Sequence, residues 1–168
     1  SGSNCAKAWD NLVSKANATW VTPDLACQTS VTGAYAMAGA LVYARTGNTG
    51  LRTKVATAIM DAKHSLDTPL EYNDTNLHCN YRPRTLSLGR QLAGYIIAAD
   101  LINLPVNDPA FNAEFRSWLN EIRDVELDGS NPTFGKSLRK TYENWAHNWS
   151  SHAGASMIAI ARYLTVNP

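Results

Sequence analysis

Apolar residues return at helical spacing through most of this chain, and alternating runs of β-branched residues do not occur. The pattern therefore predicts helices and no strands. A first amphipathic helix is expected over Ala6 to Ala18, with Ala8, Leu12, Val13 and Ala16 on one face. Thr29 or Ser30 reads as the cap of a second helix that runs to about Arg45. Its face is small and apolar: Ala34, Ala36, Met37, Ala38, Ala40, Leu41 and Ala44. Gly47 and Gly50 bracket a tight turn. A third helix follows from about Leu51 to Leu66, with Val55, Ala58, Ile59 and Ala62 in register. Asp67 to Pro83 has no period and reads as a loop. A long helix is expected over Arg84 to Leu104, with Thr85 or Ser87 as cap. Pro105 and Asp108-Pro109 then end one helix and start the next, Pro109 standing in a first turn. That next helix, Ala110 to about Val125, is expected to bury Phe111, Phe115, Trp118, Leu119 and Ile122. A second polar loop spans Asp128 to Lys136. Asn148 or Ser150 opens a last helix that continues to Leu164.

The expected fold class is all-α: antiparallel helical hairpins joined by short turns, forming an incomplete α/α toroid. Helices two and three make one pair, and helices four and five another. The last helix is apolar most of the way round and needs cover from elsewhere. Gly39, Gly89, Gly94 and Gly154 are small enough to let neighbouring helices approach closely. At 168 residues the chain reads as one domain, 1–168.

Composition narrows the function classes. Apolar residues make up 45% and charged residues 17%, and the formal net charge is +1. Such a balance gives no field suited to nucleic acid or an anionic membrane, so neither is an expected partner. No apolar run is long enough to span a bilayer. The three cysteines, Cys5, Cys27 and Cys79, have no zinc-type spacing, and no metal or other cofactor is expected. They fit either three small buried residues or a Cys5–Cys27 disulfide with Cys79 free. Asn17-Ala-Thr19, Asn73-Asp-Thr75 and Asn148-Trp-Ser150 match the glycosylation acceptor pattern.

Candidate chemistry gathers in one run, Tyr142-Glu-Asn-Trp-Ala-His-Asn-Trp-Ser-Ser-His-Ala-Gly-Ala-Ser156. Asn148 and His152 stand four residues apart, which on a helix puts them on one face a turn apart. An amide can hold a carboxylate or a sugar hydroxyl, and an imidazole can exchange a proton near neutral pH. The alternative is that Asn148 only caps the helix and His152 is a polar residue on a half-buried face. Asn144 and His147 precede the pair. Trp145 and Trp149 offer indole faces for sugar rings, or else simple packing. Lys136, Arg139 and Lys140 read as a basic loop able to hold an acidic substrate, or as solvated charge. Tyr81 and Arg82, with His78, stand in the long loop before helix four.

Two stretches, Leu86-Ser-Leu-Gly-Arg-Gln-Leu-Ala-Gly-Tyr-Ile-Ile-Ala-Ala-Asp-Leu-Ile102 and Asn148-Trp-Ser-Ser-His-Ala-Gly-Ala-Ser156, resemble the alginate lyase-like polysaccharide lyases of α/α-toroid fold. Phe115, Trp118 and Leu119 match the aromatic helix that lies between them. The likeness covers roughly Thr85 to Leu164. It implies a secreted or periplasmic protein that cleaves a uronic-acid polysaccharide by β-elimination. An asparagine neutralises the uronate carboxylate, a tyrosine or histidine removes the C5 proton, and a tyrosine commonly protonates the leaving oxygen. Asn148 matches the neutralising asparagine. Trp149 stands where the best-known members have histidine, which leaves His152 as the substitute base and Tyr142 as a candidate acid. The family's downstream tyrosine and arginine have no counterpart here. The chain is therefore expected to be a fragment, a natural short version, or one half of an assembly closed by another chain. Two further readings compete with catalysis: a module that holds a glycan through Trp145, Trp149 and the basic residues, and a helical-repeat domain that dimerises through its last helix.

Overall fold

The computed structural model describes residues 4–66, 84–127 and 137–166. These residues form eight helices and no strand, an all-α fold. In chain order they are α1 (Asn4–Asn17), α2 (Thr32–Thr46), α3 (Thr49–His64), α4 (Arg84–Leu101), α5 (Leu104–Asn107), α6 (Pro109–Ile122), α7 (Leu138–Asn144) and α8 (Asn148–Val166).

The helix α4 is central because most of its circumference is apolar or small, only a narrow flank with Arg90, Ile97 and Asp100 being exposed. Leu88, Leu92, Tyr95, Ile96, Ala98 and Ala99 are all buried, and so are Thr85, Ser87 and Gln91. It lies between α2 and α8, its two most extensive neighbours. Glycine permits the second of these contacts. A methyl group at Gly89 would stand 3.1 Å from the backbone nitrogen of Ala153, so α4 and α8 touch backbone to backbone there. The Ser156 hydroxyl then donates to the Gly89 carbonyl at 2.9 Å, fixing the register.

The other helices are attached by specific links. Asn48 caps α3, its side chain accepting from the Gly50 and Leu51 amides, and α2 and α3 pack as the expected hairpin. Asp108 caps α6 by accepting from Phe111 N–H, with Pro109 in the first turn as anticipated. Phe111, Phe115, Leu119 and Ile122 are buried, and Trp118 packs partly buried on the Phe115 ring. Lys63 of α3 has a side chain only 11% exposed and pairs with Glu114 of α6 at 2.8 Å. The Arg116 guanidinium donates to the Tyr163 and Leu164 carbonyls, closing the end of α8. Tyr163 in turn donates to the buried Asn112 side chain at 2.8 Å.

Several sequence expectations need correction. Neither Thr29 nor Ser30 caps α2: the helix opens at Thr32, after Val31, with no side-chain cap. Residues before it form turns in which Gln91 of α4 donates to the Asp24 and Cys27 carbonyls, so that backbone is committed elsewhere. Thr85 and Ser87 are buried inside α4 and are not caps. The long helix stops at Leu101, and Asn103, in the left-handed region at φ 51°, turns the chain into the short α5. The expected pairing of the long helix with its follower is also replaced: α6 makes its approaches to α5, α3 and α8. In α2, Ala34, Leu41 and Ala44 are exposed, and in α1 so is Ala8.

The cysteines also settle differently. Cys27 is disulfide-bonded, whereas Cys5 is an exposed free thiol, so there is no Cys5–Cys27 bond. Cys79 lies outside the described residues.

Candidate functional site

The corner where α7 meets α8 gathers most of the residues that the sequence singled out. Lys140 and Arg139, read as part of a loop, belong instead to the two-turn helix α7, whose Ser137 side chain accepts from the Lys140 amide. Both cations are ion-paired. Arg139 holds Asp124 through two nitrogen–oxygen contacts, and Lys140 holds Glu126. The Arg139 hydrogen bond, with its charge and that of Arg123, keeps the Asp124 carboxyl below the usual carboxylate range. These pairs lock the chain ahead of α7 onto the helix. Asn144 donates its amide to the Lys140 carbonyl one turn back at 2.9 Å, closing α7 from within.

Helix α8 opens at Asn148, one of the two expected starts, and the residue that caps it is His147. Its Nδ1 accepts from the Trp149 amide at 3.2 Å, and its carbonyl accepts from Ser150 N–H at 3.0 Å. Such bonds satisfy amides that a helix start would otherwise leave unpaired. Because Nδ1 accepts, the proton of a neutral His147 ring sits on Nε2. Ser150 ties the corner further by donating to the Tyr142 carbonyl at 3.0 Å.

With the capping role taken by His147, Asn148 is released. It is exposed at the opening of α8, and its side chain has no hydrogen-bond partner among the described residues. His152, half-buried one turn on, likewise has none there. At 3.6 residues per turn the two are only about 40° apart around the helix axis. Their shared flank borders the line where α8 meets Gly89 of α4.

Trp145 and Trp149 stack on one another, ring centroids 5.0 Å apart and planes 7° from parallel. The His147 ring stands edge-on to both, at 4.9 Å and 5.4 Å. All three come from a five-residue stretch, brought together because the backbone leaves α7 extended at Trp145 and re-enters a helix at Asn148. The result is a rigid, partly exposed aromatic block beside the Asn148–His152 flank.

Tyr142 is not brought to that flank. Its ring packs where a methyl group on Gly154 would be 3.1 Å away. Gly154 lies about 240° around α8 from Asn148, on the side shared with Ser150. Tyr142 is 55% exposed and stands across the helix from His152. The signal that could have shown this is the glycine itself: on this helix it marks the side where α7 presses close. Tyr81 and Arg82 lie outside the described residues.

Among the described residues no group of three His, Cys, Asp or Glu side chains converges to hold a metal. None of their helices is long and apolar enough to cross a membrane. Comparison of the chain with protein-family models, with curated proteins and with solved structures finds no match.

Proposed function

We propose that this chain is a polysaccharide lyase-like domain that takes a uronic-acid polymer at the α7–α8 corner and cleaves it by β-elimination. One observation carries the reading: Asn148 and His152 share a flank of α8 with neither side chain engaged by a described residue. The Asn148 amide would donate to the uronate carboxylate and stabilise the negative charge that develops when the neighbouring C–H proton leaves. His152 would take that proton. The electron pair of the C–H bond becomes the new double bond as the C–O bond to the leaving sugar breaks. With Tyr142 on the other side of α8, the leaving oxygen receives its proton back from His152. One histidine serves as base and then as acid. Trp149 and Trp145 would hold a neighbouring sugar ring against the outer indole face. The disulfide at Cys27 supports a secreted or periplasmic setting, where such bonds persist. The helical pairs and the contact of α4 with α8 are consistent with part of a toroid that another segment or a second copy completes.

A second reading, a glycan-binding module without turnover, is favoured by the position of Tyr142 and by the preformed tryptophan stack. Incubation with alginate, glucuronan and hyaluronan separates the two. Elimination raises the ultraviolet absorbance of unsaturated uronides with at least one polymer. Binding with no rise on any polymer assigns the module instead, and absence of both removes the corner as a glycan site.

A further inference from the structure

A concave surface lies away from the α7–α8 corner, between α3 and the stretch after α1. It encloses about 440 Å³, within the range of sites that hold small molecules. Lys54, Thr57 and Asp61 line it from one face of α3, at spacings of three and four residues. Thr19, Trp20 and Thr22 supply part of the opposite wall.

Thr19, Thr22, Thr57 and Asp61 are exposed along its walls, and Lys54 and Trp20 are half-buried. Lys54 is half-buried, and burial pushes its pKa below the usual lysine value. It nevertheless has no carboxylate partner among the described residues. Its ammonium donates to the Ala16 and Ala18 carbonyls, at 3.1 Å and 2.7 Å, and sits over the Trp20 ring. With two donors on carbonyls and the indole face beneath it, the ammonium offers a ligand in the cleft its unneutralised charge. Asp61 stands two turns further along α3, roughly 10 Å away along the axis, and its carboxylate also has no partner among the described residues. The hydroxyls of Thr19, Thr22 and Thr57 make no side-chain hydrogen bond there either. Tyr95 of α4 is 1% exposed with its hydroxyl unpartnered. Burial and the charges of Asp24 and Asp61 push that phenol's pKa up.

We infer that this cleft is a binding site for a single acidic sugar, a polyhydroxylated ring bearing one carboxylate. The carboxylate meets Lys54, and ring hydroxyls exchange hydrogen bonds with the threonines and donate to Asp61. A dipeptide would satisfy the two charges but leave the threonine hydroxyls without their complement. The inference rests on the cleft alone, not on elimination at the α7–α8 corner.

Calorimetric titration with sodium D-glucuronate tests it, with D-glucose as the neutral control. The expected result is saturable one-to-one binding of glucuronate and at least tenfold weaker binding of glucose. Asp61→Asn combined with Thr57→Val changes two exposed side chains and weakens glucuronate at least tenfold. Lys54→Met brings glucuronate down to the level of glucose. If loss of the α1 carbonyl contacts unfolds that variant, the α3 double variant carries the test. No saturable binding, equal binding of glucose, or indifference to the α3 double variant each overturns the site.

Discussion

His147 decides what its neighbours are free to do. By accepting from the Trp149 amide it takes over the capping of α8, and Asn148 keeps an unspent amide beside His152. The same imidazole stands edge-on to the Trp145–Trp149 stack, so cap and platform are one object. Replacing either tryptophan by alanine removes the stack but not the cap. Such aromatic pairs contribute about 0.5–1.5 kcal/mol beyond their buried area. A sugar ring packed on the outer indole also loses its support, and a roughly tenfold fall in polysaccharide affinity, about 1.4 kcal/mol, is the expected result. An unchanged dissociation constant in Trp149→Ala would show that the stack only packs. Gly89 is the other decisive residue. A Cβ there meets backbone, 3.1 Å from the Ala153 nitrogen, which cannot swing aside. Gly89→Ala should cost about 1–3 kcal/mol in denaturant unfolding, the range for overpacking. A variant as stable as the parent would mean that α4 and α8 stand further apart than described.

At the scale of elements, α7 is the piece that sequence patterning did not reveal. Seven residues are too few for a hydrophobic period to declare itself. What holds this helix is tertiary: a serine cap, two ion pairs to the chain ahead of it, and the Tyr142 ring pressed on Gly154. The Asp124–Arg139 pair has a signature in pH. Its carboxyl is depressed in the folded chain, so its contribution is fully present above the ordinary value of 3.8 and is lost as pH falls through the lower, folded value. Asp124→Asn should therefore lower the melting temperature slightly at neutral pH, slightly because the pair is exposed. The difference from the parent should close in strong acid. A gap that widens below pH 3.8 would contradict this account of the pair. The longer helices were legible for the opposite reason. Val55, Ala58, Ile59 and Ala62 repeat often enough to fix both the helix and its buried face, as do Phe111, Phe115, Leu119 and Ile122. Helix starts were less so. A threonine or serine before an apolar run reads as a cap at Thr29, Ser30, Thr85 and Ser87, yet the first two lie in the turns ahead of Thr32, Thr29 against the Cys27 sulfur, and the others are buried within α4.

For the whole molecule, the all-α class and the α2–α3 hairpin follow from periodicity, but the neighbours of α4 do not. They depend on glycine contacts and on single polar links such as Ser156 to Gly89, which carry no sequence period. The candidate site was legible in part. Spacing placed Asn148 and His152 together, and proximity in sequence suggested the tryptophan pair. The separation of Tyr142 and the pairing of Arg139 and Lys140 arise from contacts across the α7–α8 corner. The fold delivers one exposed asparagine, one histidine and a stacked indole pair to the same end of α8. The most direct test is the rate of unsaturated uronide formation by Asn148→Ala beside the parent, with helicity followed by circular dichroism. Asn148 has no side-chain partner among the described residues, so the fold should be kept while turnover of every uronate polymer the parent cleaves is abolished. A folded Asn148→Ala variant that cleaves at the parental rate would contradict the assignment of the α7–α8 corner as the site of elimination.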